Sequence, residues 1–144
     1  MLYHQKPHIF PTQMQVSAGI LEYHGQILLL KRAENCSSAG LWCEPGGKRE
    51  SSESSEEALE REIFEETGID ISQEKKNFLC TKYFYFLEHY IEIDFYRVIL
   101  SQLPRAKLNN EHTDFIWIKP EEALKMDLVE DFNVILKEIY WLIY

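Results

Sequence analysis

Cysteine is scarce in this chain, and its spacing excludes two classes of small protein. There are three cysteines, Cys36, Cys43 and Cys80, and no two of them have the CxxC spacing of a zinc site. Their odd number also argues against a framework of disulfides. Free thiols are typical of a reducing compartment, so the expected location is cytoplasmic.

Basic residues are few. The chain has 15 lysines and arginines against 24 aspartates and glutamates, a formal net charge of −9. Such a surface repels phosphate backbones and anionic lipids, so neither a nucleic acid polymer nor a membrane is an expected partner. A small anionic substrate is compatible with this charge only if metal ions or a local basic group offset the repulsion.

Long apolar runs, repeats and linkers are missing as well. The longest apolar runs, such as Ile27 to Leu30, are far too short to span a bilayer. Residues 1–11 lack the apolar core of a signal peptide. No shift in composition divides the 144 residues, so we expect one domain over 1–144.

The hydrophobic pattern predicts a mixed α+β fold, an α/β/α sandwich whose sheet lies between helices. Strands are predicted over Gln13–Tyr23, Gln26–Arg32, Phe78–Leu87, Tyr90–Leu100 and Phe115–Ile118, with a short extended segment at Leu41–Glu44. Helices are predicted over Ser54–Thr67, Pro120–Lys125 and Val129–Ile143.

The first helix has clear ends. Ser54 with Glu57 three residues later forms a capping-box pattern, and Gly68 stands where a glycine ends a helix. The residues predicted to form its buried stripe are Ala58, Leu59, Ile63 and Phe64.

This helix carries an unusual amount of negative charge. Seven glutamates occur from Glu53 to Glu66, and Arg61 is the basic residue among them. Glu62, Glu65 and Glu66 share one face, where like charges oppose helix formation by roughly 0.2–0.5 kcal/mol per pair. Either the face is solvated or a cation compensates it, and hard divalent cations prefer clustered carboxylates. Solvation alone does not account for the preceding Pro-Gly-Gly or for the single arginine.

The same residues resemble a family signature. Gly47, Glu53 and the run Arg61 to Ile69 match the complete Nudix box, Gx5Ex7REUxEExGU with U bulky and apolar, over residues 47–69. The flanking sequence is similar to the MutT-type branch in the segments Ile27–Arg32, Gly40–Trp42, Glu111-His112 and Trp117, and in Pro120–Leu124. The resemblance implies a Nudix fold.

It also implies a metal site that binds Mg²⁺, with Mn²⁺ able to substitute. The implied metal ligands are Gly46, Glu62, Glu65, Glu66 and Glu111, and the implied catalytic residues are Glu62, Glu65, Arg61 and Glu111. Glu62 is the first choice for the base that deprotonates water. Arg61 is expected to pair with Glu53 and orient the loop rather than react. Glu111 has the alternative of a solvated loop residue, which is also the expectation for His112.

The candidate substrate-binding residues each have an alternative role. Lys31 and Arg32 are expected to contact phosphate, with a surface charge at a strand end as the alternative. Asp131 and Asn133 are candidates to bind the nucleobase edge, with helix capping or solvation as the alternative. Glu44 stands where the family usually has an apolar residue, so the preference between purine and pyrimidine stays open.

The expected activity is pyrophosphohydrolysis of a nucleoside triphosphate, either an oxidised purine or a pyrimidine nucleotide, to the monophosphate and pyrophosphate. One alternative is hydrolysis of ADP-ribose, a nucleotide sugar or a dinucleoside polyphosphate. Another is a catalytically silent domain that binds nucleotides. The partner is a small nucleotide in each case, and either a monomer or a homodimer is compatible with the sequence.

Overall fold

A computed structural model describes residues 1–142 of the chain. One mixed sheet runs through the molecule. Its strands are β1 (Leu2–Tyr3), β2 (Met14–Tyr23), β3 (Gln26–Arg32), β4 (Trp42–Cys43), β5 (Gly46–Lys48), β6 (Asn77–Phe86), β7 (His89–Ile99) and β8 (His112–Ile118). The helices are α1 (Ser55–Thr67), α2 (Pro120–Ala123) and α3 (Phe132–Lys137), followed by a π-helical turn at Glu138–Leu142. Among residues 1–142, no helix is both long and apolar enough to cross a membrane.

Strand β2 organises the sheet. It pairs in parallel with β7 along one side, and on its other side it pairs antiparallel with β5 and then with β3. The strand order is β1-β6-β7-β2-β3-β4, and β8 pairs with β3. Strand β5 pairs with β2 and is followed by the loop that leads to α1. The start of the Nudix box, at Gly47, is therefore held at the centre of the sheet.

Helices cover both faces of the sheet, as predicted. Two apolar side chains of α1, Leu59 and Ile63, belong to a core cluster on one face with residues of β2, β3 and β7. On the other face, Phe132, Ile135 and Leu136 of α3 pack against a second set of sheet residues. The predicted α/β/α sandwich is confirmed.

The last predicted helix differs from the observed one. It begins at Phe132 rather than Val129, because Asp131 adopts a left-handed conformation with φ of 65° that no α-helix continues through. From Glu138 the hydrogen bonding changes to the π pattern. The predicted end, Ile143, lies outside the described residues.

Helix α1 has the predicted ends. The Glu57 N–H donates to Ser54 Oγ at 3.1 Å, and the Ser54 N–H donates to Glu57 Oε1 at 3.0 Å, which completes the capping box. Gly68 adopts φ of 71° and its N–H donates to the Phe64 carbonyl. These caps fix the length of the helix and therefore which carboxylates it presents.

The buried stripe of α1 was predicted correctly except at Phe64, whose 58% exposure shows that it lies on the solvent side.

We expect Leu59→Ala to lower the free energy of unfolding by roughly 3 kcal/mol, because removal of its fully buried side chain leaves a cavity. Phe64→Ala is the matched control and should change it by no more than about 0.5 kcal/mol. Urea denaturation of both variants measures this, and equal losses would contradict the packing described.

Candidate functional site

Two glycines of β5 bring the sheet against the acidic face of α1. The Gly46 N–H donates to Glu66 Oε1 at 2.8 Å. A Cβ on Gly46 would lie closer than 3.0 Å to the Ser17 carbonyl oxygen, and one on Gly47 would lie closer than 3.0 Å to the Glu62 carboxylate. Only glycine therefore allows this approach, which places two box carboxylates beside one short strand.

Arg61 holds the loop between β5 and α1. Its Nε and Nη2 donate to the two oxygens of Glu53 at 2.6 and 2.8 Å, which is the pairing that the resemblance implies. Nη2 also donates to the Lys48 carbonyl at 3.0 Å, and Nη1 to Glu62 Oε1 at 2.9 Å. The hydrogen bonds from Arg61 lower the pKa of Glu53 to about 2. The Arg61 guanidinium therefore links the loop to helix α1 by hydrogen bonds.

The deepest carboxylate of the site is that of Glu66, a residue only 4% exposed. Its pKa is raised to about 9, chiefly by burial, with the charges of Glu111 and Glu62 contributing to the rise and the Gly46 N–H and Arg32 opposing it. Ligand atoms of Glu66, Glu111 and His112 all lie within 4.8 Å of one another. Burial and acidic neighbours outweigh the nearby charge of Arg32, and a divalent cation would stabilise the ionised carboxylate.

His112 is not the solvated loop residue that the sequence suggested. It opens strand β8 opposite Arg32 and is 4% exposed. Its Nδ1 lies 3.7 Å from Glu66 Oε2 and has no hydrogen-bond partner among residues 1–142, and its Nε2 lies 3.7 Å from Cys43 Sγ. Burial lowers its pKa to about 4, so the imidazole is neutral near pH 7. The predicted strand began at Phe115, which left His112 in a loop.

A cavity of about 410 Å³ adjoins the carboxylates at Gly46 and Gly47, which both line it. Its walls are mainly apolar and aromatic and come from β2, β6, β7 and α3. They include Met14, Val16, Phe84, Phe86, Ile91, Ile93, Phe95, Phe132 and Ile135. The charged residues that line the cavity are Arg32, Glu44 and Glu130. The site therefore has an acidic edge and an apolar chamber, in contact with each other.

The predicted substrate residues fall in different places. Arg32 lines the cavity and its Nε donates to the Ser37 carbonyl at 2.5 Å. Lys31, on the alternate side of the strand, does not line it, and its Nζ lies 6.0 Å from the centre of the Trp42 ring. Asp131 and Asn133 line an adjacent cavity at the start of α3. The structure does not bring these two residues to the carboxylates.

Glu44, which the sequence marks only as a departure from the family pattern, lines the cavity. Its Oε2 is nevertheless buried, and no group in the described part of the chain forms a hydrogen bond with it. Burial raises the pKa of this carboxyl to about 7, against the opposing charge of Arg32. A glutamate directly before Pro-Gly-Gly was the only signal of it in the sequence.

Comparison with known proteins agrees with this geometry. The family model for the NUDIX domain matches residues 11–139. A CTP pyrophosphohydrolase of Escherichia coli (strain K12) is 34% identical over 121 residues, which cover 80% of this chain and 82% of that protein. The nucleoside triphosphatase NudI of Escherichia coli (strain SE11) is 30% identical over 128 residues, 81% of this chain and 89% of that protein.

A solved structure shows the same fold. The MutT protein of Methanosarcina mazei Go1 superposes with a TM-score of 0.78 at 28% identity, covering 87% of this chain and 91% of that one. The sheet, the capped acidic helix and the match of the family model lead to one conclusion: the chain belongs to the NUDIX family and is a hydrolase of its MutT-like branch.

Proposed function

We propose that this protein hydrolyses nucleoside triphosphates to nucleoside monophosphates and pyrophosphate, with Mg²⁺ as its cofactor. The observation that carries the proposal is the junction at Gly46 and Gly47, where the carboxylates of α1 meet an apolar cavity. Apolar walls suit a nucleobase, and the acidic edge suits a metal-bound polyphosphate. Both parts of one nucleotide are then bound at neighbouring positions.

The residues proposed to hold the metal are Glu62, Glu65, Glu66 and Glu111, with the backbone of Gly46. They fit a hard cation because Glu66 is buried among like charges and Glu111 lies within reach of it. When bound, Mg²⁺ polarises the phosphorus and neutralises charge on the leaving group. Mn²⁺ is expected to substitute, since it accepts the same oxygen donors.

The proposed step is attack of water on the β-phosphorus. The bond from the β-phosphorus to the oxygen that bridges to the α-phosphorus breaks, and that oxygen leaves with the monophosphate. Glu62 accepts the proton of the attacking water, since its carboxylate is half-buried beside Gly47. Arg61 positions Glu62, and Arg32 is placed to bind a phosphate oxygen from the cavity side.

Pyrimidine triphosphates are the first substrates to test, and oxidised purine triphosphates the second. The support is the relative named CTP pyrophosphohydrolase, to which the chain is similar over most of its length. The test is a panel of common and oxidised nucleoside triphosphates, ADP-ribose and diadenosine polyphosphates, each incubated with Mg²⁺ or EDTA. We expect metal-dependent pyrophosphate from a triphosphate. Turnover of ADP-ribose or diadenosine polyphosphates alone would replace the proposal, and no turnover at all would favour a binding domain.

Metal binding should also depend on pH in a defined direction. The pKa of Glu66 is raised from 4.5 to about 9, so its contribution to stability is complete below pH 4.5 and is lost as the pH rises toward 9. Mg²⁺ binds the ionised carboxylate. We therefore expect Mg²⁺ to raise the melting temperature more at about pH 8.5 than at about pH 6. Thermal unfolding with Mg²⁺ and with EDTA measures this, and equal increases at both pH values would count against Glu66 as a ligand.

A further inference from the structure

The side chain of Glu44 has an oxygen that no group among residues 1–142 satisfies. This oxygen, Oε2, is buried, although the residue lines the cavity. A buried carboxyl oxygen without a donor is costly, and one way in which the cost is removed is a donor on a bound ligand. Most of the surrounding wall is apolar or aromatic, including Phe84, Phe86 and Ile93. The missing partner is therefore expected on whatever occupies the cavity.

Charge decides which part of a nucleotide can be that partner. A carboxylate repels phosphate oxygens, so it does not bind the polyphosphate, for which Arg32 and the α1 carboxylates with their metal are available. The aromatic walls favour the flat apolar part of the substrate, which is the nucleobase rather than the ribose. The group that meets Glu44 in this cavity is then an N–H on the edge of a base.

We infer that Glu44 is a specificity-determining residue that selects nucleobases with an exocyclic amino group over bases with a carbonyl group at the same position. This inference rests on the proposed function, because it assumes that a nucleotide occupies the cavity. A carboxylate accepts hydrogen bonds from an amino group, as glutamate does from the amino group of cytosine. Against a base carbonyl it has no donor to offer, and two acceptors face each other.

A buried acceptor at position 44 discriminates between bases where an apolar side chain would not. An apolar wall tolerates either group on the base edge, whereas a buried acceptor rejects the base that leaves it unpaired. Glutamine is the informative substitution, because its amide both donates and accepts in nearly the same volume. Glu44→Gln should therefore reduce the selectivity between amino-bearing and carbonyl-bearing bases without changing the shape of the cavity.

The experiment compares binding of α,β-methylene triphosphate analogues in two matched pairs, cytidine against uridine and adenosine against inosine. These analogues resist cleavage, so titration calorimetry with Mg²⁺ reads recognition apart from turnover. At about pH 8.5, we expect the wild-type protein to bind the amino-bearing member of at least one pair roughly tenfold more tightly. Glu44→Gln should reduce that ratio to about threefold or less. A deoxycytidine analogue serves as the control for the ribose, and its ratio to cytidine should not change.

Three results would overturn the inference. The first is equal affinity within both pairs for the wild-type protein, or no binding of any of the four analogues. The second is a ratio that Glu44→Gln leaves unchanged. The third is a change confined to the ratio of ribose to deoxyribose, which would assign Glu44 to the sugar. Discrimination in binding without pyrophosphate release from any triphosphate would instead refute the proposed function and leave the role of Glu44 intact.

Discussion

Replacing Glu66 with glutamine should reduce Mg²⁺-dependent kcat/KM by roughly a thousandfold, which corresponds to about 4 kcal/mol of transition-state stabilisation. The buried carboxylate beside Gly46 and Glu111 is the group for which a cation compensates most. Glutamine keeps the shape and an acceptor for the Gly46 N–H, so the fold should survive. Steady-state kinetics and calorimetric titration with Mg²⁺ should both show the loss.

The matched control is Glu56→Gln, which removes the same charge from the first turn of the same helix. Glu56 is exposed in the first turn, whereas Glu66 is buried near the end of the helix, so substitution of Glu56 should change kcat/KM by less than about twofold. A thousandfold loss in the control as well would indicate damage to the helix. Full activity of Glu66→Gln would remove Glu66 from the proposed site.

The second large effect is expected at Arg61. Arg61→Ala should lower kcat by roughly a hundredfold, because the loop and two box carboxylates lose the group that orients them. Arg61→Lys should restore little of it, since one ammonium cannot replace a bidentate bond to Glu53 together with the bonds to Glu62 and Lys48. The comparison separates geometry from charge, because lysine retains the charge.

Amide hydrogen exchange gives a structural measurement for Arg61→Ala and Arg61→Lys. The Glu50 N–H donates to Glu53 Oε1 at 2.9 Å, and Glu53 is held by Arg61. Amide exchange at Glu50 should therefore accelerate in both variants while the amides of β3 stay protected. Restoration of most of the rate by Arg61→Lys would mean that Arg61 acts by its charge, contrary to the positioning role.

Much of the fold could be predicted because helix caps, apolar periodicity and the Nudix box indicate the same elements. The capping box at Ser54 and the glycine at position 68 defined α1, and apolar periodicity located its stripe at Ala58, Leu59 and Ile63. The match of the Nudix box adds fixed spacing, which places Glu62, Glu65 and Glu66 on one face of a helix. That Glu62 and Glu66 lie beside β5 follows from two glycines whose lack of a side chain permits the contact.

The rest depended on contacts between distant parts of the chain. His112 is buried only because β8 pairs with β3 and brings it to Glu66, 46 positions earlier in the sequence. The unsatisfied oxygen of Glu44 is visible only once the cavity walls are in place. Asp131 shows that a single residue can also decide, since its left-handed conformation sets the start of α3 at Phe132. Asp131 and Asn133 line another cavity.

In the proposed reaction, the carboxylates of α1 direct water to the β-phosphorus of a nucleoside triphosphate. Hydrolysis in ¹⁸O-labelled water with Mg²⁺, followed by mass spectrometry of both products, identifies the phosphorus that water attacks. We expect one ¹⁸O atom in the pyrophosphate and none in the monophosphate. Label in the monophosphate would place the attack at the α-phosphorus, and release of inorganic phosphate with a nucleoside diphosphate would contradict the proposed reaction.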